Sequence, residues 1–383
     1  MRKNEFDYNQ FKLEGERFLT SLVNEVTDLL IPIHNLVCDH LCFRVATESE
    51  YNYYKSALLR NGTLLTEALV NGRPICTFKL NTPFLTPSHT VWLLELPFPK
   101  SGAPYSTGFE HAECIINDCF DEFATKYPHL SFHRSGNPIL NPELCLKLKD
   151  KQIKFHHHSL DRIIEIEEAK ITDIIFDFDG TLIESRENIY EINRIVFGAI
   201  LNREVTLTES IKNFHPEFSK LFTAFDITCP TKKNHAVQIW GKVSDRFSFK
   251  LFEGVHDLLL KLHGFGYKIH LWTARDEQSA RRILKEHKIE DLFTTLSFAT
   301  AVDSKPHGNS LKFDWKEASK NQFVVIGDSP SDIYGSKNTG ALAAAALWDP
   351  YASKSALIKA GAELLFHQLS ELEAWLIQKR TLT

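Results

Sequence analysis

Two aspartates two residues apart, Asp177 and Asp179, follow a short apolar run and precede Gly180 and Thr181, in the stretch Thr-Asp-Ile-Ile-Phe-Asp-Phe-Asp-Gly-Thr-Leu that spans 172–182. Residues two apart on an extended chain point the same way, so both carboxylates can face one substrate while Phe178 turns back into the protein. Carboxylates this close repel unless a cation or a shared proton lies between them, so the spacing predicts either bound Mg²⁺ or one raised pKa. Taken alone, the stretch also fits an ordinary acidic turn after a strand.

The Ile-Ile-Phe run reads as a strand buried on both faces, and ligands of open α/β sheets bind outside the carboxyl ends of such strands. Residues 184–248 are then helix-rich, with Ile189, Ile192, Ile195, Val196 and Ile200 at a helical period. After them the strand-helix alternation returns. Residues 254–263 read as a helix and 268–272 as a strand with Thr273 at its carboxyl end. Residues 276–287 read as a helix, and 293–298 lead towards Lys305-Pro306. Residues 323–326 form an apolar strand before the turn Gly327-Asp328-Ser329-Pro330-Ser331-Asp332 and a helix ending near Gly340. Polar residues therefore stand at or just beyond the ends of successive strands: Asp177 with Asp179, Thr273, Lys305, and Asp328 with Asp332. Lys305 also fits a loop lysine before a proline, and Asp332 a helix N-cap or first-turn acid. Arg275 either reaches a bound phosphate or pairs with Asp276 or Glu277, and the surface role is favoured.

This ordered set resembles the haloacid dehalogenase superfamily over nearly all of 171 to about 365, within a domain at 171–383, and the helical stretch at about 185–248 resembles the cap of its phosphoglycolate phosphatase-like members. The resemblance implies a Rossmann-like domain and Mg²⁺-dependent phosphatase chemistry on a small phosphorylated metabolite. Asp177 would attack phosphorus and carry an acyl phosphate, and Asp179 would act as the acid and then the base. Thr273 and Lys305 would donate to the phosphoryl oxygens. Asp177, Asp328, Asp332 and the main-chain carbonyl of Asp179 would hold the Mg²⁺. An Asp at 179 and a Thr at 181 resemble phosphatase or phosphomutase members rather than those acting on carbon-halogen bonds. A β-phosphoglucomutase-like transfer back to sugar stays open, as does a binding protein whose phosphatase site is vestigial.

The amino-terminal half reads differently. An opening helix spans about 11–30. Short strands follow at 41–45, 63–69, 73–80 and 90–96, with a helix at 48–59, and Asn71-Gly72 marks a hairpin between two of them. A second series starts at 110–116, with a helix near 119–127 and strands near 130–132, 144–148 and 152–156. Each β-α-β-β-β unit opens on an acid-His pair, Asp39-His40 and Glu110-His111, which suggests an internal repeat.

Asp39-His-Leu-Cys-Phe-Arg44, Asn71-Gly-Arg-Pro-Ile75, Leu94-Glu-Leu-Pro97, Gly108-Phe-Glu-His111 and Lys154-Phe-His-His-His-Ser159 resemble the YecM family of the glyoxalase/vicinal-oxygen-chelate fold, over roughly 1–168. That resemblance implies two modules closing a cup around a second divalent metal, Zn²⁺, Ni²⁺ or Fe²⁺, with His40, Glu95, His111 and His156 at the cup. With 17 histidines in the chain, an empty polar cup is the alternative.

The expected fold class is thus α/β: a Rossmann-like domain with a helical cap, preceded by an α+β domain of paired β-α-β-β-β modules. A length of 383 residues suits two such domains. The formal charge of -5 gives no basic footprint, which disfavours nucleic acid as a partner. Seven cysteines without C-x-x-C spacing suit reduced thiols and a cytoplasmic setting. The polar start and the lack of a long apolar run predict neither signal peptide nor membrane anchor.

Overall fold

The computed structural model describes residues 6–70, 72–100, 102, 105–215, 218–299, 305–307, 311 and 322–381. The chain divides into two compact units, Met1–Glu168 and Ala169–Thr383.

In the first unit, helix α1 (Tyr8–Asp28) is followed by β1 (Val37–Arg44), α2 (Glu48–Leu58), β2 (Gly62–Val70), β3 (Arg73–Leu85) and β4 (Thr90–Pro97). The second series is β5 (Gly108–Ile115), α3 (Phe120–Thr125), β6 (Phe132–Asn137), β7 (Asn141–Lys147) and β8 (Gln152–His156), closed by α4 (Leu160–Glu168). Local signals set these bounds. Asp7 caps α1 through Gln10, and Thr47 with Glu50 forms a reciprocal capping box on α2. Gly72 takes φ +74° in the β2–β3 turn, the conformation a two-residue hairpin needs, while Asn71 lies outside the described residues.

The eight strands make one sheet in the order β2-β3-β4-β1-β5-β8-β7-β6, so the leading strands of the two series, β1 and β5, lie side by side. One face is oily: Leu41, Phe43, Phe78, Leu94, Leu96, Ala112, Cys114, Ile153 and Phe155 pack with Phe11, Leu19, Leu22 and Val26 of α1. Strand alternation sends the remaining side chains to the opposite face. Register shifts between Cys38 and His40 on β1, and where Phe43 meets Phe109, reset that alternation. They let Cys38 and Phe109 join the core while His40 and His111 face the other way.

The second unit opens on β9 (Asp173–Phe176). A two-residue strand β10 (Ile183–Glu184) leads into four helices, α5 (Arg186–Leu201), α6 (Leu207–Lys212), α7 (Phe218–Ala224) and α8 (Pro230–Ser244), and β11 (Lys250–Leu251) leads out. Strands β10 and β11 pair antiparallel, so the helical insertion enters and leaves through one narrow ribbon. The chain continues with α9 (Val255–Gly264), β12 (Lys268–Trp272), α10 (Glu277–Glu286), β13 (Thr295–Ser297), β14 (Phe323–Gly327), α11 (Pro330–Thr339), β15 (Leu342–Ala346), α12 (Lys354–Ala360), β16 (Leu364–Phe366) and α13 (Leu369–Thr381).

Six of these strands form a parallel sheet ordered β13-β12-β9-β14-β15-β16. All four residues of β9 are buried, as an apolar run flanked on both sides requires. The architecture is the α/β class expected from the sequence, with an α+β unit ahead of it. Among the described residues no helix is long and apolar enough to cross a membrane, and all seven cysteines are free thiols.

Candidate active site

The carboxyl ends of β9, β12 and β14 converge, as parallel strands sharing one register must. The Asp177 amide donates to the Ile326 carbonyl at 2.9 Å, which extends the β9–β14 ladder by one residue and fixes where the carboxylate begins. Phe178 is fully buried, Gly180 turns the chain at φ +82°, and the Thr181 hydroxyl donates to Asp177 Oδ2 at 3.3 Å.

Asp177 and Asp332 are bridged by Lys305, whose ammonium donates to Asp177 Oδ1 and, at 2.6 Å, to Asp332 Oδ1. All three are buried. Lys305 also lies 5.5 Å over the Trp272 ring, and Gly335 makes room for that indole, since a Cβ there would come within 2.6 Å of it. Asp332 fills the helix-start role open to it from the sequence, since Oδ2 accepts from the Ser329 amide at 3.0 Å and caps α11, and its Oδ1 accepts from Lys305 as well. Thr273 is buried at the end of β12, and its hydroxyl oxygen accepts from the Arg275 amide at 3.0 Å.

Oxygens of Asp177, Asp328 and Asp332 lie within 4.8 Å of one another. Buried, hard and anionic, this donor set fits Mg²⁺. Burial, together with the Asp332 and Asp179 charges, pushes the Asp177 carboxyl up to about 7 despite Lys305, and burial with Asp177 beside it raises Asp328 well above the carboxylate range. Asp179 does not join the three. Its carboxylate belongs to Arg275, with Nε donating to Oδ2 at 3.0 Å and Nη2 to Oδ1, which leaves its main-chain carbonyl as what it can offer a cation. Burial works to raise the Asp179 carboxyl, but the guanidinium overrides it and holds the group below its usual range.

The surface role expected for Arg275 is therefore corrected. Its side chain is 1% exposed, Nη1 donates to Ser279 Oγ at 2.9 Å, and its guanidinium lies 4.4 Å over Phe249. The sequence reading also passed over Arg186, at the start of α5. Its Nη2 donates to Asp328 Oδ2 at 2.6 Å and its guanidinium stacks over Phe214. Its only sequence signal is a cation seven residues after Asp179.

On the polar face of the first unit, His40 of β1 and His111 of β5 aim Nε2 at a common region. Glu113 Oε1 lies 3.4 Å from His40 Nε2 and 3.1 Å from His111 Nε2, and Glu95 Oε2 lies 3.8 and 3.9 Å from the same atoms. The other ring nitrogens are taken: Asp39 bonds His40 Nδ1 at 2.8 Å and Glu110 bonds His111 Nδ1. Each acid-His pair thus makes the same contact, a carboxylate fixing one nitrogen so that the other points inward. Among the described residues, His40 Nε2, His111 Nε2, Glu113 Oε2 and both ring nitrogens of His156 are buried without a hydrogen-bond partner.

Four residues, His40, Glu95, His111 and Glu113, bring ligand atoms within 4.8 Å of one another, while His156 groups instead with Asp39 and His40. Register explains the split: β8 runs parallel to β5 with Lys154 opposite Glu113 and His156 opposite Ile115, one step beyond the cluster. Glu113 was legible as a residue two places after His111 on the same face. Lys154 donates to it at 2.8 Å. Burial would raise the Glu113 carboxyl, but the Lys154 ammonium and the His40 imidazole hold it well below its usual range. Burial would lower His40, but Glu113 and Asp39 raise it well above the ordinary imidazole.

Comparison with known proteins places both halves. Residues 8–135 match the YecM protein family, and residues 174–346 match the haloacid dehalogenase-like hydrolase family. The chain is 26% identical over 177 residues to pyrophosphatase PpaX of Halalkalibacterium halodurans, covering 45% of this chain and 81% of that protein. It is 26% identical over 169 residues to protein YecM of Escherichia coli, covering 40% of this chain and 90% of that one. A solved haloacid dehalogenase-like hydrolase from Streptococcus pneumoniae superposes with a TM-score of 0.47 at 21% identity, over 54% of this chain and 98% of its own. By their sequence, then, residues 174–346 match the haloacid dehalogenase-like hydrolases and residues 8–135 match the YecM family.

Proposed function

We propose that residues 171–383 form a Mg²⁺-dependent phosphatase that hydrolyses a small phosphorylated metabolite. One observation carries the reading: the buried Lys305 ammonium joins Asp177 to Asp332 within a cluster of three carboxylates at the carboxyl ends of parallel strands. Asp177 attacks phosphorus in line and becomes an acyl phosphate, a labile link that water then cleaves. Asp179 is the acid-base group: it gives a proton to the departing oxygen when substrate binding loosens the Arg275 contact that otherwise holds it ionised, and afterwards takes one from the attacking water. The Thr273 hydroxyl and the Lys305 ammonium donate to the phosphoryl oxygens, where charge must be neutralised. Asp177, Asp328, Asp332 and the main-chain carbonyl of Asp179 would hold a divalent ion, which would supply further charge neutralisation at those oxygens.

The test is release of free phosphate from a panel of phosphorylated metabolites with Mg²⁺, beside the Asp177→Asn variant. Inorganic pyrophosphate belongs in the panel because the PpaX relatives are named pyrophosphatases. Turnover by the unaltered protein alone supports the reading, and turnover retained by a folded Asp177→Asn protein overturns it.

For residues 1–168 we propose a divalent transition-metal site made by His40, His111, Glu95 and Glu113. The unpartnered inward nitrogens of two histidines, each oriented by its own carboxylate, favour this over an empty polar face. Loss of bound Zn²⁺ or Ni²⁺ from the full chain on His111→Ala is the expected result, and equal metal content in the variant overturns it.

A further inference from the structure

Asp349 follows β15, the next strand along the sheet from β14, and has no part in the chemistry above. It is 3% exposed. One oxygen, Oδ1, accepts from the Tyr351 amide at 2.8 Å, while the other, Oδ2, is buried with no hydrogen-bond partner among the described residues. Burying a carboxylate oxygen without a partner is costly, so such an atom marks a place where a donor or cation belongs.

The direction of that oxygen is set by Gly180. A Cβ built on Gly180 would lie 2.4 Å from Asp328 Oδ2 and 2.8 Å from Asp349 Oδ2, so the two carboxylates face one point above the glycine that follows Asp179. Arg186 donates to the same Asp328 oxygen at 2.6 Å. Asp328 is thus shared: it belongs to the cluster with Asp177 and Asp332 and also looks out towards Arg186 and Asp349.

The charges around this point do not close. Asp179 is matched by Arg275. With all four ionised, Asp177, Asp328, Asp332 and Asp349 stand against Lys305 and Arg186, an excess of two negative charges, the charge of one divalent ion. Asp349 is not among the three whose oxygens lie within 4.8 Å of one another, which places it outside the group of direct ligands. Mg²⁺ keeps several of its waters when bound by protein, and an acceptor one water away holds those waters and orients the ion.

We propose that Asp349 is an outer anchor of the metal position, its Oδ2 accepting a hydrogen bond from a water on the Mg²⁺ that Asp177, Asp328 and Asp332 hold, with Arg186 balancing the pair Asp328–Asp349. This rests on the Mg²⁺ reading of the site. Asp349 is a positioning residue: it touches neither phosphorus nor the transferred proton.

The experiment is calorimetric titration of Mg²⁺ into the full chain without substrate, for the unaltered protein and for Asp349→Asn and Asp349→Ala, together with melting temperatures at zero and saturating Mg²⁺. Both substitutions are expected to weaken Mg²⁺ binding by roughly tenfold or more and to shrink the melting shift that Mg²⁺ produces. Without Mg²⁺ the Asn variant is expected to melt at or above the unaltered protein, because a buried unpaired charge has been removed. Asn and Ala variants that bind Mg²⁺ as tightly as the unaltered protein would overturn the assignment of Asp349 and leave the phosphatase reading standing. An unaltered protein that binds no Mg²⁺ would overturn both. Should the Ala variant fail to fold, the isosteric Asn variant decides.

Discussion

Arg275 and Asp179 are joined by a two-pronged contact, Nε to Oδ2 at 3.0 Å and Nη2 to Oδ1, across 96 residues of sequence. Ser279, in the first turn of α10, holds the third guanidinium nitrogen, so the arginine is fixed from behind. The proposed acid-base group is therefore positioned by a cation that owes its own position to the helix after β12. Arg275→Met is expected to lower turnover about as far as Asp179→Asn, on the order of 100-fold. Combining the two should add little, because both remove one unit. Steady-state phosphate release by the two single variants and the double variant checks this, and near-wild-type turnover by Arg275→Met would show that Asp179 is positioned by something else.

Lys305 is expected to matter for folding as well as turnover. Its ammonium is the shared cation of two buried carboxylates, and removing one partner of such a group leaves charge stranded out of water. Lys305→Met should lose turnover and about 3 kcal/mol of stability by urea unfolding without metal. Because Mg²⁺ neutralises the same carboxylates, much of that loss should return at saturating Mg²⁺. A variant as stable as the unaltered chain would mean that the carboxylates are protonated rather than paired.

In the first unit the ligand set distinguishes Glu113 from His156. Elemental analysis after dialysis against Zn²⁺ should find that Glu113→Gln loses the transition metal while His156→Ala keeps it, both proteins retaining their melting transitions. The reverse pattern would move the site to Asp39, His40 and His156, whose atoms also cluster.

A pH effect unconnected with catalysis is expected at the far end of β9. Asp173 accepts from His270 at 2.9 Å and from Thr172 at 2.6 Å. Burial works to raise its carboxyl, but these bonds override it and hold the group below its usual value. A carboxyl with a lower pKa when folded adds stability that is complete above its unfolded value of about 3.9 and is lost as pH falls through the folded one. Urea midpoints of the unaltered protein should therefore fall more steeply than those of Asp173→Asn as pH drops below about 4, and parallel curves there would exclude the linkage.

What the sequence made legible was the frame. A run such as Ile174-Ile175-Phe176 has few ways to be satisfied other than burial in a parallel sheet, and that alone placed Asp177 at a carboxyl edge. Strand parity sets His111 and Glu113 on one face, yet only the structure singled Glu113 out. Partners brought together from afar were not legible. Arg275 sits beside Asp276 and Glu277 in sequence, and nothing local says that it turns instead to a carboxylate 96 residues earlier. Asp349 follows an alanine-rich strand with no motif around it, so only the approach of Gly180 and Asp328 in space gives it meaning. His156 failed to join the cluster for a reason of register, and the pairing of β8 with β5 is written in neither strand.

The order β13-β12-β9-β14-β15-β16 places β9 two strands in from one rim and three from the other. The rims themselves are slight: β13 and β16 have three residues each. Transient openings of a sheet begin where few contacts must break, so these rims are the places where the unit frays. In an amide hydrogen-exchange experiment, protection should therefore climb from both rims towards 174–177. The amide of Asp177 itself, bonded to Ile326, should be among the last to trade its proton with water. The unit can breathe at its edges on a fast clock while the carboxylate at its centre keeps its place on a slow one.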